Sequence, residues 1–545
     1  MIEVEVHYSL HNFLRSQAEA AWSHHLTMAR LVARALRLGR SALIQVGAGC
    51  GYQGRYRLSY LAPALLWQSP AVIVATEEVQ QRLLRVEIPP LQQWLQTNKS
   101  IIVGDRWIHP DFQGILLITP AAWLQAQWAG TGDFPPNIPT LIDGVDDLED
   151  WARSQLTVSI HPGNWDELML AYPDRAEVIR EARVQLTKAV FRHPANPYEC
   201  YLVSPAERDI LESLFTRLGD KEDKGDKGDK VALNSDFRLP IPDYAANVGE
   251  DASPPAASQL PNSLSLPKNW YLFQQRSQTP DCLLWMSLNR SQGLFSLYCA
   301  PAEVASALAP IWTRQPVVFM GSALDRETEA TTYRKRLGLP EELTCLKFAG
   351  DRHNESIQLY TPERFPLPNT PQYQPALMRE IYALIGATVS PGLTMILVGD
   401  LPLKQQIGAQ LAAEFGSRVQ VEKMSLDENS ILVSGWDFWQ QHQGILPVPQ
   451  LTIITTLPIP SLEHPIVAGR VEYYKRSRQD WFALYLLPAA LNQLQRAIAP
   501  MRDRQGVVAL LDSRVLHRSY GQQVLAALSP AARCNYLDAS LFAKD

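Results

Sequence analysis

The sequence predicts an α/β protein of two parallel α/β layers, the first interrupted by a mainly helical insertion. Three observations carry that expectation. Short unbroken apolar runs alternate with helix-like stretches over residues 1–150, as for strands buried on both faces of a parallel sheet. The same alternation resumes near 371 and continues to the end of the chain. Between them, residues 218–269 change composition and lose apolar periodicity. The 545 residues are also too many for one core, since domains hold about 100–200 residues each.

Taken in order, residues 12–38 place Met28, Leu31, Val32, Ala35 and Leu36 at helical spacing and predict a helix. Residues 42–46 predict a strand that runs into a glycine cluster, and 71–75 predict the next. A helix over 77–87 is expected to end at Pro89-Pro90. Strands at 114–119 and 140–143 complete the first layer, whose ligand site belongs at the strand carboxyl ends. Residues 151–310 read as the helical insertion, and 311–370 as the return to the first layer and the connection onward. The second layer, 371–545, has strands at 393–398, 430–433, 451–455 and 507–512, with helices at 403–415 and 481–497. No internal repeat relates the layers. Within the insertion, 218–269 holds a Gly-Asp-Lys repeat and a Ser/Pro/Ala stretch. That composition predicts a disordered, solvated linker, dispensable for folding and nicked first by proteases.

Apolar residues make up 46% and charged residues 19%, which places the chain among globular proteins. Net charge is −6, so any nucleic-acid contact must come from local basic faces. One is Arg15, Arg30, Arg34, Arg37, Arg40, Arg55 and Arg57; a second holds Arg470, Lys475, Arg476 and Arg478. The acidic start Met1-Ile2-Glu3-Val4-Glu5 is unlike a signal peptide. The longest apolar run, 481–491, is interrupted by Pro488 and too short for a bilayer, so no membrane partner is expected. Six scattered cysteines without a C-x-x-C pair argue against a disulfide framework or zinc and suit a reducing cytoplasm.

Chemistry enters at Gly47-Ala48-Gly49-Cys50-Gly51-Tyr52-Gln53-Gly54, after a strand and before a helix-like stretch. Glycines there let backbone N–H groups approach a phosphate. Three functional readings fit. Gly49 to Gly54 matches the dinucleotide fingerprint, with Glu77 placed as the ribose acid. Gly47, Gly49 and Gly51 also fit the glycine motif of S-adenosylmethionine enzymes. The third is a P-loop in which Tyr52 and Gln53 replace Lys and Ser/Thr. A tight βα turn without a ligand remains the alternative.

Several further segments, in order, resemble the DinG/XPD-type branch of the superfamily 2 helicases. His25 stands at the Gln of the family's entry motif, and residues 47–53 followed by Leu58-Ser59-Tyr60-Leu61-Ala62-Pro63 resemble its P-loop and following helix. Residues 54–57 are then a four-residue insertion. Leu141-Ile142-Asp143-Gly144 is similar to the Asp-Glu-Ala-His segment, keeping only the first Asp. Gly321-Ser322-Ala323-Leu324 resembles Ser-Ala-Thr-Leu. The match continues with Phe438-Trp439-Gln440, Leu457-Pro458-Ile459, Leu487-Pro488-Ala489, Gln493 of the arginine-finger motif, and the closing strand at 506–514.

The resemblance implies two RecA-like lobes of P-loop NTPase type, ATP with Mg²⁺ at the cleft between them, and a single-stranded nucleic-acid substrate. It implies Gly47, Gly49, Gly51, Tyr52 and Gln53 against the nucleotide, Asp143 on Mg²⁺, and His25, Ser322, Trp439 and Gln493 as motif remnants. The departures fall on the chemistry. Tyr52 brings no ammonium, Gly144 replaces the water-orienting Glu, and Ala497 and Pro500 occupy the arginine positions, where a one-residue shift would recover only Arg496 and Arg502 lies slightly outside. One missing finger costs roughly 10³–10⁵ in rate in such chemistry, so ATP hydrolysis is expected to be lost. No cysteine lies between Gly51 and Asp143, where many relatives hold an iron–sulfur cluster, so none is expected. The function expected is a helicase-family protein binding nucleotide and nucleic acid. The alternatives are a non-catalytic scaffold among the protein partners of DNA repair or replication, and an α/β enzyme using a dinucleotide or S-adenosylmethionine. Asp146 and Asp147 read as helix-start carboxylates, and Phe438 and Trp439 as core.

Overall fold

The apolar runs of the amino-terminal part pair as one parallel sheet. β1 (Ala42–Gln45), β2 (Ala71–Val74), β3 (Ile101–Val103), β4 (Ile115–Ile118) and β5 (Thr140–Asp143) are joined by two strands from far along the chain, β10 (Val317–Gly321) and β11 (Thr344–Lys347). The spatial order is β11-β1-β10-β5-β2-β4-β3, seven strands. This computed structural model describes residues 2–17, 22–107, 109–129, 134–135, 137–219, 266–348, 356–388 and 392–537. Alternate residues of the central strands feed two cores, one on each face. Ile44, Ile73, Leu117 and Met320 lie in the first. Leu43, Val72, Leu116 and Phe319 lie in the second.

The second lobe repeats the plan. β12 (Ile357–Tyr360), β13 (Thr394–Leu397), β14 (Val419–Val421), β15 (Ile431–Ser434), β16 (Leu451–Ile454), β17 (Val507–Leu510) and β18 (Ala531–Cys534) form a parallel sheet. Its order is β14-β15-β13-β16-β17-β12-β18. Because β12 pairs with β17 and β18, this lobe begins at Ile357, ahead of the boundary expected at 371. A four-residue strand with few helical neighbours in sequence carries little periodicity of its own, and its partners are distant.

Helices predominate in the insertion, but they pack on an antiparallel sheet where mainly helices are expected from the sequence. β6 (Val158–Ile160), β7 (Cys200–Leu202), β8 (Cys282–Asn289) and β9 (Leu294–Pro301) are antiparallel in the order β6-β9-β8-β7. One face, with Leu284, Met286, Leu297 and Cys299, closes on Trp165, Trp270 and Phe273. The linker expected over 218–269 lies outside the described residues from 220 to 265. At its margins the Pro205–Gly219 helix ends and the Lys268–Ser277 helix begins.

Local chemistry explains other differences. The expected 12–38 helix is two, Ile2–Ser16 and His25–Leu38. The helix starting at Glu77 does not stop at Pro89-Pro90; it widens into a π-turn over Leu83–Glu87 and continues as Ile88–Leu95. A second π-turn, Phe482–Leu486, precedes Pro488 in the Leu487–Arg502 helix. A wider turn accommodates the proline ring and its missing N–H without ending the helix. Among the described residues no helix is long and apolar enough to cross a membrane.

Candidate functional site

β1, β10 and β5 are sheet neighbours, so their carboxyl ends bring the glycine cluster, Ser322 and Asp143 to one edge. After β1 the chain turns at Gly47, with φ of 85°, and winds into one helical turn, Ala48–Gly51. The Gly51 N–H closes the turn onto Gly47 O at 2.9 Å. Gly49 is buried within it. Gly51 is required by proximity, since a Cβ there would lie 2.3 Å from Ser322 Cβ. Gln53 and Gly54 then adopt left-handed conformations, with φ of 59° and 68°, before the Leu58–Leu66 helix.

Tyr52 is buried where the P-loop lysine is expected, packed with Ala48 and with Ala499 of the second lobe. Its hydroxyl donates to Gln443 O at 3.3 Å. Burial raises its pKa, so the phenol stays protonated.

Asp143, buried at the end of β5, is engaged on both oxygens by first-lobe side chains. Arg57 Nε donates to Oδ2 at 2.9 Å and Tyr60 to the same oxygen at 3.0 Å. Tyr56 donates to Oδ1. Burial and the Asp143 charge push both phenols well above their ordinary range. Burial opposes the Arg57 charge, but Asp143 and the two phenols more than offset it. Arg57 and Tyr56 belong to the 54–57 insertion. Read against the motif they are a gap, and their meaning emerges only because the helical turn brings them back over β5.

The residues after Asp143 bond across the cleft. Gly144 is left-handed, with φ of 76°. Asp146 accepts from Ser322 N and Ala323 N, each at 2.7 Å, and from Ser322 Oγ at 2.9 Å. Asn492 of the Leu487–Arg502 helix donates to Ala323 O at 2.8 Å. Asp147 receives a two-pronged bond from Arg496 of the same helix, at 2.5 and 3.1 Å. With its amide in the flipped orientation, Gln440 accepts from the same guanidinium at 2.9 and 3.1 Å. Gln493 lies half-buried on this helix.

One cluster had no counterpart among the motifs. Glu149, 6% exposed, meets Arg153 at 2.7 Å, Arg336 Nε at 2.7 Å, and Arg470 of the second-lobe helix Pro465–Arg476. Burial works against its charge, but the three guanidiniums overcome it and hold the carboxyl well below its usual range. The Arg470 guanidinium also stacks 3.8 Å from the Tyr485 ring centroid. Arg470 therefore does not contribute to an exposed basic face, whereas Lys475, Arg476 and Arg478 do. Charge spacing gives no hint of residues that meet only across lobes.

Two remnants turn inward. His25 is buried and bonds Ser59 Oγ at 2.7 Å through Nδ1, and burial depresses its pKa to about 4. Trp439 is fully buried and donates to Ala497 O at 2.9 Å, a core role as expected.

Residues 448–531 match the family "Helicase C-terminal domain". The chain is 23% identical over 256 residues to "ATP-dependent DNA helicase YoaA" of Escherichia coli, covering 44% of this chain and 40% of that protein. It is 23% identical over 270 residues to the protein of that name from Haemophilus influenzae, covering 47% and 41%. It thus spans about two fifths of the length of these curated relatives. Among solved structures, "XPD_APO" aligns with a TM-score of 0.56 at 12% identity, covering 93% of this chain and 100% of that one. S. tokodaii Xpd4 aligns with 0.55 at 12%, covering 94% and 100%. These structural likenesses bear on the fold: two RecA-like lobes. The domain match, the two helicase relatives and the shared fold agree: the chain carries a helicase C-terminal domain, is similar in sequence to DNA helicases and has the two-lobed fold of the XPD structures.

Proposed function

We propose that this is a helicase-fold protein whose nucleotide site has been given over to contacts within the chain. It does not turn over ATP at a motor's rate and serves as a nucleic-acid-binding scaffold, with protein partners in DNA repair or replication as the family resemblance implies. The observation that carries the reading is the saturation of Asp143 by Arg57, Tyr56 and Tyr60. Mg²⁺ needs carboxylate oxygens with room for several waters in an octahedron. A buried carboxylate already facing a guanidinium and two phenols does not fit that demand.

Other features support it. Tyr52 fills the space of the lysine, and the Gly51 N–H beside it is bonded to Gly47 O. Gly144 offers no base for the attacking water. Arg496, the remaining candidate finger, is committed to Asp147. Such groups act together, so losses at several of them are not repaired one at a time.

The test is single-strand-stimulated phosphate release by wild type, with Tyr52→Ala as a contamination control. No release above background is expected. Robust release abolished by Asp143→Ala would end the reading. Calorimetric titration with ATP, NAD(H) and S-adenosylmethionine addresses the other glycine-loop chemistries. Tight binding of either of the latter two would replace this proposal with an α/β enzyme.

A further inference from the structure

We infer that residues 146–149 form a charge clasp that holds the two lobes in one closed arrangement, so that the inter-lobe geometry does not respond to nucleotide. The inference deepens the reading of the cleft as a site occupied by its own chain, and it rests on that reading.

The three acidic side chains of the clasp come from one short stretch directly after β5, and each is tied to the second lobe. Asp147 takes the forked bond from Arg496. Glu149 takes Arg470, with side chains only 8% and 7% exposed. Asp146 fixes the Ser322-Ala323 turn, which accepts Asn492 through Ala323 O. On the glycine side, Arg55 pairs with Asp503 at 2.6 Å. Apolar contacts flank the charges. Ala499 packs on Ala48 and Tyr52. A Cβ at Gly469 would sit 3.2 Å from Leu202 and from Leu283, so the Arg470 helix lies tightly on the insertion sheet.

A ligand moves a two-state equilibrium only by its differential affinity for the two states. In a nucleotide-driven pair of lobes that difference comes from phosphate and metal contacts made by both sides. Here the first-lobe carboxylates and second-lobe arginines contact each other instead. Forked Arg–carboxylate pairs fix orientation as well as proximity. Because the Glu149 pair is buried, salt screens it less than an exposed pair.

The experiment is resonance energy transfer in the full chain. One fluorophore is placed at exposed Asn98 in the first lobe and one at exposed Glu414 in the second, both as noncanonical amino acids because the native cysteines remain. Transfer is measured without nucleotide and with Mg·ATP. The expected result is the same efficiency in both, and a loss of efficiency in Arg470→Met/Arg496→Gln without nucleotide. Should that variant misfold by circular dichroism, the milder Asp147→Arg is used. It should lose transfer, and Asp147→Arg/Arg496→Asp should recover it. A wild-type efficiency that changes with Mg·ATP overturns the clasp, as does a folded variant indistinguishable from wild type. Phosphate release with unchanged transfer would sink the non-hydrolysing reading alone. A nucleotide-driven change without release would sink the clasp alone.

Discussion

Asp143 shows how much one residue's surroundings alter its chemistry. Removing Arg57 leaves a buried carboxylate without its counter-charge, at a cost of about 3–5 kcal/mol. Arg57→Met should therefore lower unfolding stability by that amount in urea, and adding Asp143→Asn should recover part of it, since contacting residues are not additive. Gly144→Glu, which restores the family's carboxylate, forces a side chain onto a left-handed backbone. It should cost about 1–2 kcal/mol and leave phosphate release at background. His25 adds a pH dependence. Its pKa falls from 6.5 unfolded to about 4 folded, so the unfolded chain binds its proton first on acidification. Its contribution, up to about 3 kcal/mol, is full above pH 6.5 and is lost as pH falls through about 4. His25→Gln, which keeps a partner for Ser59, should flatten stability between those limits in denaturant titrations.

At the scale of elements, the close approach of the Ala48–Gly51 turn to the end of β10 is the contact to test. A methyl at Gly51 meets Ser322 Cβ, an atom fixed to the backbone, so the turn or the strand end must move. Overpacking of this kind costs about 1–3 kcal/mol. Gly51→Ala should lower the melting temperature, and Gly51→Ala/Ser322→Gly should restore most of it. The π-turns at Leu83–Glu87 and Phe482–Leu486 carry a related lesson. Proline is a sound stop signal for an ideal helix, yet each helix here continues past it by widening one turn. Helix existence was legible from spacing; where each helix ended was not.

For the whole molecule, an acidic chain must bind nucleic acid, if it does, through local faces. Burial of Arg470 in the Glu149 cluster removes one candidate, while Arg30 and Arg34 remain exposed on the His25–Leu38 helix. Single-strand binding by fluorescence anisotropy should be present at low salt and fall steeply as salt rises, because counterion release drives it. Arg30→Glu/Arg34→Glu should weaken it. Absence of binding at low salt would remove nucleic acid from the proposed function and leave a protein-interaction scaffold.

The sequence by itself determined the two parallel layers, because strands buried on both faces must be unbroken apolar runs, and it determined the family likeness, because motif order survives when motif chemistry does not. It also showed which groups are missing: an ammonium at 52, a carboxylate at 144, arginines at 497 and 500. The insertion sheet lay beyond it, since β8 and β9 flank a turn whose partners β6 and β7 are remote in sequence. Only the tertiary structure decided what replaced the missing groups. Arg57 reaches Asp143 through a turn that no periodicity encodes, and Glu149 meets Arg336 and Arg470 from separate parts of the chain. A charge in sequence has no partner until the fold supplies one, and burial then determines how strongly the two are bound.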